Sequence, residues 1–75
     1  MSKLRRISGA ETVRALQRLG FEVIRQRGSH IILKKDTFEE VTGCVVPAHR
    51  ELAIGTLKAI LRQAKVDPEE FLEKL

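Results

Sequence analysis

A short segment of this chain combines residue types that can act on a phosphodiester. It reads Arg25-Gln26-Arg27-Gly28-Ser29-His30 and is followed at once by three apolar residues. An imidazole exchanges protons near neutral pH, and guanidinium groups bind phosphate oxygens. If the flanking residues pair as a hairpin, the turn places the imidazole beside the cations on an open sheet edge. The segment therefore predicts a site for chemistry on a nucleic-acid backbone.

The Gly28-Ser29 dipeptide is typical of a two-residue type II′ turn, because glycine accepts the positive φ of the first central position. A loop of this length fixes which residues share a sheet face. One face then carries three cross-strand pairs: Arg27 with His30, Arg25 with Ile32, and Val23 with Lys34. The other face carries Ile24, Ile31 and Leu33 and is apolar enough to be covered by helices. A loop one residue longer would destroy this grouping.

Charge is divided unevenly along the 75 residues. Residues 1–35 hold nine lysines and arginines against two glutamates, whereas residues 36–75 hold five basic and eight acidic residues. The two halves have formal charges of +7 and −3, and the cationic half contains His30. This distribution permits a polyanionic partner. The length predicts one domain, residues 1–75, in which a deep active-site cavity is not expected.

Two long helices and one short helix are predicted. Ser8 and Glu11 have the spacing of a capping box, and helical periodicity follows to about residue 19. Apolar residues at helical spacing predict a second helix over about 54–65, although its start has no strong cap residue. Asp67 followed by Pro68 predicts the start of a short third helix.

Strands are predicted between the long helices, over 21–27, from His30 onward, and over 41–46, where Pro47 ends the last strand. The polar residues 36–40 connect the second strand to the third. The sequence therefore predicts an α+β fold, in the order helix-strand-strand-strand-helix with a short C-terminal helix. Its three-stranded antiparallel sheet has the helices on one face.

The remaining reactive residues indicate no metal or cofactor chemistry. Cys44 lies in a strand pattern and is interpreted as a small strand residue, and a lone cysteine forms no internal disulfide. His30 and His49 have no third ligand at a recognisable spacing, so no metal site is predicted. No leader-like or membrane-spanning apolar run occurs, which favours a soluble cytoplasmic protein without a membrane partner.

Three segments follow one another at compatible spacing: residues 25–30, Val46-Pro47-Ala48-His49, and Gly55-Thr56-Leu57-Lys58-Ala59-Ile60-Leu61-Arg62-Gln63-Ala64. Together they resemble the HicA toxin family, in its YcfA-like branch, from about Ser8 to Phe71. The chain departs from the family pattern in its more acidic 36–40 connection. It also departs at Gly43 within the third strand and at Lys65, where the family often has a helix-ending glycine.

The resemblance implies a messenger-RNA interferase with a double-stranded-RNA-binding-like fold, neutralised by a HicB antitoxin. It implies that His30 is the catalytic residue of this endoribonuclease, and acid/base transfer by an imidazole needs no metal ion or small-molecule cofactor. The expected RNA-binding residues are Arg25, Arg27, Gly28, Ser29, Lys34 and His49. Lys35 falls on the opposite sheet face and is the weakest candidate among the neighbouring cations.

Several alternatives stay open at this point. His30 could be an ordinary strand residue, the cations a solvated face, and His49 a structural residue bonded to loop backbone. A non-catalytic double-stranded-RNA-binding module is the main rival. Such modules have a lysine-dense start to the second helix, whereas this chain has only Lys58 there. An adaptor that docks an acidic protein surface is the third interpretation.

Overall fold

Three strands form an open antiparallel sheet in the order β1-β2-β3, and the helices cover one of its faces. The computed structural model describes residues 4–75. Its elements are α1 (Gly9–Arg18), β1 (Glu22–Arg27), β2 (His30–Asp36), β3 (Val41–Pro47), α2 (Ile54–Ala64) and α3 (Pro68–Glu73). The order and layering confirm the predicted α+β, double-stranded-RNA-binding-like fold.

The predicted capping box starts α1. The Glu11 backbone N–H donates to Ser8 Oγ at 3.0 Å, and the Ser8 backbone N–H donates to Glu11 Oε1 at 3.0 Å. These two bonds satisfy amide groups that have no partner within the helix. The helix ends at Arg18 with Leu19 as its C-cap, and Gly20 follows with a φ of 102°. The sequence thus placed both ends of α1 within one residue.

The core lies between the covered sheet face and the helices. Leu33, Cys44 and Val46 from the sheet are buried in one cluster with helix residues that include Leu16 and Leu57. Burial of an aliphatic side chain of this size contributes about 1.5–3 kcal/mol. The side chains that alternate with these along β2 and β3 lie on the opposite face, which no helix covers. We call this second surface the open face; it carries the predicted site residues Arg25, Arg27 and His30.

The β1–β2 register departs from the prediction at the end of the hairpin away from the turn. Val23 pairs with Leu33, and Glu22 pairs with Lys34, because a β-bulge lies between Val23 and Arg25. The predicted pairing of Val23 with Lys34 is therefore wrong. Ile24, which the alternating pattern assigns to the covered face, is 50% exposed. A strict period of two cannot anticipate an extra residue in one strand.

The ends of α2 agree with the sequence. Ala53 stands at its N-cap and makes no side-chain capping bond, and Lys65 stands at its C-cap in the left-handed region with a φ of 58°. Lys65 thus adopts a conformation that glycine usually supplies at a helix end. The short helix α3 begins as predicted, with the Glu69 backbone N–H donating to Asp67 Oδ1 at 2.8 Å. Its residue Phe71 is buried in the core.

Candidate functional site

The two-residue turn between β1 and β2 is confirmed. Arg27 pairs directly with His30, so that only Gly28 and Ser29 form the loop. Gly28 has a φ of 60°, while Ser29 does not have a positive φ, and this combination fits type II′ rather than type I′. The side-chain Nε2 of Gln26 donates to the Gly28 carbonyl at 3.0 Å and joins the turn to β1. The grouping that depends on this turn is therefore retained at the hairpin end.

His30 is the first residue of β2 and occupies the middle of a row across the open face. Its neighbours in the row are Arg27 of β1 and Pro47 of β3. The side chains of Arg27 and His30 are exposed. Among residues 4–75, none hydrogen-bonds to the His30 imidazole, which leaves both ring nitrogens accessible to a substrate. A cation and a proton-transfer group therefore lie side by side, open to solvent.

The segment that carries His49 is fastened to the same end of the sheet by its backbone. The Ala48 N–H donates to the Ser29 carbonyl at 2.6 Å, and the Gly9 N–H donates to the His49 carbonyl at 2.8 Å. His49 is exposed, and within the described part of the chain its ring forms no hydrogen bond. The alternative in which this ring bonds to loop backbone is thus not what the structure contains. Both histidines belong to one end of the molecule.

Gly9, which no motif in the sequence singles out as functional, holds this arrangement together. A methyl group on Gly9 would overlap the carbonyl oxygen of Pro47, so α1 begins in direct contact with the end of β3. The same glycine donates to the His49 carbonyl. A glycine at the first position of a helix, directly after the cap residue, is the signal that could have indicated this close approach.

The predicted cations do not all lie in one cluster. Arg25 pairs with Ile32 one row beyond His30 and is exposed on the open face. Lys34 lies a further row away and forms an ion pair with Asp36, with 3.6 Å between Nζ and Oδ2. Lys35 is on the covered side, where its Nζ is 5.8 Å from the centre of the Phe21 ring. Arg25 and Arg27 are therefore the cations nearest the histidine, and Lys34 contributes at a distance.

The centre of the open face is apolar. Ile32 pairs with Val45, and Val41 follows towards the far end of β3. Val45 is 37% exposed and Val41 is 63% exposed. A surface that carries guanidinium groups at one end and aliphatic side chains along its middle suits a macromolecule better than a small ion.

Cys44 is not a nucleophile at neutral pH. Its side chain lies on the covered face, and burial raises the pKa of the Cys44 thiol to about 11. The interpretation as a small strand residue is confirmed by this position. Within residues 4–75, no three side chains of His, Cys, Asp or Glu form a group that could hold a metal ion.

Several cavities in the described part of the chain lie away from the predicted site. Three of them have volumes of about 130, 210 and 270 Å³, and no predicted site residue lines any of the three. The 130 Å³ cavity lies on the helix side and includes Lys35 and Lys65 in its wall. The predicted site residues are instead exposed on the hairpin, on β2 and in the segment after β3.

A family model described as HicA toxin of bacterial toxin-antitoxin matches residues 9–66. The chain belongs to the HicA toxin family. The matched range includes the hairpin, both histidines and α2, so every predicted site residue of this HicA-family chain lies inside it. A search among curated proteins found no match. Among the described residues, no helix is long and apolar enough to cross a membrane.

Proposed function

We propose that this HicA-family chain is an endoribonuclease that cleaves messenger RNA and thereby inhibits translation. The single observation that supports this best is the direct pairing of Arg27 with His30 on an uncovered sheet face. The pairing sets a phosphate-binding cation beside a group that transfers protons, and both are accessible to a polymer. The whole chain, residues 1–75, is proposed to act as one domain in the cytoplasm.

The reaction that suits these groups is transesterification within the RNA strand. The ribose 2′-oxygen forms a bond to the adjacent phosphorus, and the bond from phosphorus to the 5′-oxygen breaks. A base takes the proton of the 2′-hydroxyl, and an acid gives a proton to the departing 5′-oxygen. The products are a 2′,3′-cyclic phosphate and a 5′-hydroxyl end. His30 is the proposed catalytic residue for these proton transfers, which need no metal ion or cofactor.

The surrounding residues have separate proposed roles. Arg25 and Arg27 bind the phosphate and stabilise the negative charge that develops on its oxygens. Gly28 and Ser29 bring bare backbone to the RNA at the tip of the hairpin, where a methyl group on Gly28 would meet no atom of a distant residue within 4 Å. Lys34 extends the backbone contact along β2. His49, fastened to the same end, is proposed to contact the RNA and is the candidate for a second proton-transfer group.

The proposed partners are messenger RNA and a HicB-type antitoxin. Membership of a toxin-antitoxin family implies a neutralising partner. A protein that covers the open face would occlude His30, Arg25 and Arg27 together, because all three lie on that face. Neutralisation by steric exclusion follows directly from this arrangement.

The decisive experiment compares the wild-type protein with His30→Ala on an end-labelled RNA in the presence of a chelator. We expect the wild type to cleave and the variant to lose cleavage and growth inhibition while its thermal melt is unchanged, since His30 is exposed. A substrate with a single 2′-deoxyribose at the cut site should resist cleavage at that site. Cleavage at the wild-type rate by the folded variant would contradict the assignment.

A non-catalytic duplex-binding module is the second candidate, because the observed fold is double-stranded-RNA-binding-like. The first turn of α2, where such modules carry cations, here contains Ile54, Gly55 and Thr56. Titration with duplex RNA separates the candidates. Tight, sequence-independent duplex binding without strand scission would favour the module, and scission of single strands favours the toxin. An adaptor would do neither and would be harmless when expressed alone.

A further inference from the structure

The loop between β2 and β3 is a turn closed by its own hydrogen bonds. The Thr37 backbone N–H and Thr37 Oγ1 both donate to the Glu40 carbonyl at 2.9 Å, and the Glu40 N–H donates to Thr37 Oγ1 at 3.1 Å. Lys65 Nζ lies 2.8 Å from Glu40 Oε1 and joins the loop to the end of α2. Residues 37–40, the Thr37–Glu40 loop, are thus fixed both internally and to the body of the protein.

This hydrogen-bonded loop leaves Phe38 exposed to solvent. The relative exposure of Phe38 is 107%, whereas Phe21 and Phe71 are exposed by 3% and 0%. No packing within the described chain accounts for a fully exposed phenyl ring, and aromatic side chains are enriched in protein interfaces. Because the loop is already ordered, a partner that buries this ring would lose little conformational entropy from it.

The charges around Phe38 select a protein rather than a nucleic acid as its partner. Glu39 directly follows Phe38 in the chain, and its carboxylate repels phosphate groups. Asp36 and Glu40 are engaged by lysines within the chain, whereas Glu39 is exposed and has no ion pair within residues 4–75. The matching surface is an apolar pocket bordered by a lysine or arginine that reaches Glu39.

The position of the loop connects it to the face that carries His30. It adjoins the exposed Val41, and from there the apolar centre of the open face leads back to His30. The length of β2 separates the two ends by roughly 20 Å. A protein interface of ordinary size covers about 800 Å² on each partner, which is enough to reach from one end to the other.

We propose that Phe38 is the anchor by which the antitoxin of this toxin binds, and that the bound antitoxin extends over the open face to cover His30. The identity of the partner rests on the proposed function; the anchor itself rests on the exposure of Phe38, the hydrogen bonds of its loop and the charge of Glu39. Phe38 takes no part in catalysis.

The test is a binding titration between the purified protein and a HicB-type candidate antitoxin, with Phe38→Ala and Ile54→Ala compared. Ile54 is 37% exposed at the opposite end of α2 from Lys65 and serves as the matched apolar control. We expect Phe38→Ala to raise Kd by about 30-fold or more and Ile54→Ala to leave it within about threefold. RNA cleavage by Phe38→Ala alone should equal the wild-type rate, and its growth inhibition should resist neutralisation.

Each other outcome overturns the inference in an identifiable way. If the wild type and Phe38→Ala bind the antitoxin equally well, the antitoxin is a partner of this protein but Phe38 is not its anchor. If the wild type does not bind at all, the proposed antitoxin is wrong as well. Loss of RNA affinity in Phe38→Ala would assign the ring to base stacking. Sedimentation would show whether the wild type self-associates. If it does and Phe38→Ala does not, Phe38 binds a second copy of the chain instead of an antitoxin.

Discussion

Arg27 and His30 face each other across the β1–β2 hairpin, with only the Gly28-Ser29 turn between them. Strand pairing places their side chains on the same side of the sheet, on the face that the helices leave uncovered. The turn therefore determines the local chemistry, because it decides which side chain stands opposite the imidazole.

Substitution of Arg27 and substitution of Lys35 should affect the rate of RNA cleavage differently. Arg27→Ala should lower kcat/KM by about 10- to 100-fold, because a donor to the developing charge is lost. Lys35→Ala should leave kcat/KM within about twofold, because Lys35 lies over Phe21 on the covered side, away from the proposed RNA-binding face. Steady-state cleavage of one short RNA by both variants measures the difference. Equal losses would show that only total charge matters.

Position 28 has room for a side chain, but its positive φ should disfavour an L-residue. Gly28→Ala meets no atom of a distant residue within 4 Å, yet a φ of 60° strains an L-residue, so the free energy of unfolding should fall by about 1–2 kcal/mol. Introduction of D-alanine at position 28 by chemical ligation should restore stability, since a D-residue favours positive φ. Urea melts of the two proteins provide the comparison. If the L-alanine and D-alanine proteins had equal free energies of unfolding, backbone strain would not be the reason for glycine at position 28.

Two helical glycines should respond to alanine with opposite sign. Gly9→Ala should lower the free energy of unfolding by about 1–3 kcal/mol, because its methyl group overlaps the Pro47 carbonyl. Gly55→Ala should raise it by about 0.5 kcal/mol, because the site is open and alanine restricts the unfolded chain. Chemical denaturation measures both. The contact between α1 and β3 would be in doubt if Gly9→Ala were neutral.

The capping box should make stability depend on pH in acid. The backbone N–H of Ser8 donates to Glu11 and lowers the pKa of this carboxyl below its usual range. A lowered folded-state pKa contributes stability that is present above the unfolded value and is lost as pH falls through the folded value. Glu11→Gln keeps an acceptor but cannot titrate. The stability advantage of the wild type over Glu11→Gln in urea melts should therefore shrink below about pH 4.3, the ordinary pKa of a glutamate.

Much of the fold was predictable because its signals are local. The Ser8 and Glu11 spacing, the Gly28-Ser29 dipeptide and Asp67 before Pro68 each specify a conformation within a few residues. Period-two alternation near the turn then placed Arg25, Arg27 and His30 on one face. The alternation failed only beyond the bulge, where one strand contains an extra residue and the pairing of Val23 changes.

By itself, the sequence determined the order of the elements, the turn and the grouping of Arg27 with His30, since hydrogen bonds and side-chain alternation within a hairpin are short-range. Only the tertiary structure decided that Gly9 touches Pro47, that Lys65 is engaged by Glu40, and that Phe38 is left in water. These relationships depend on how distant segments pack and on which surfaces remain uncovered. No local pattern encodes them, because burial and long-range contact are properties of the assembled chain.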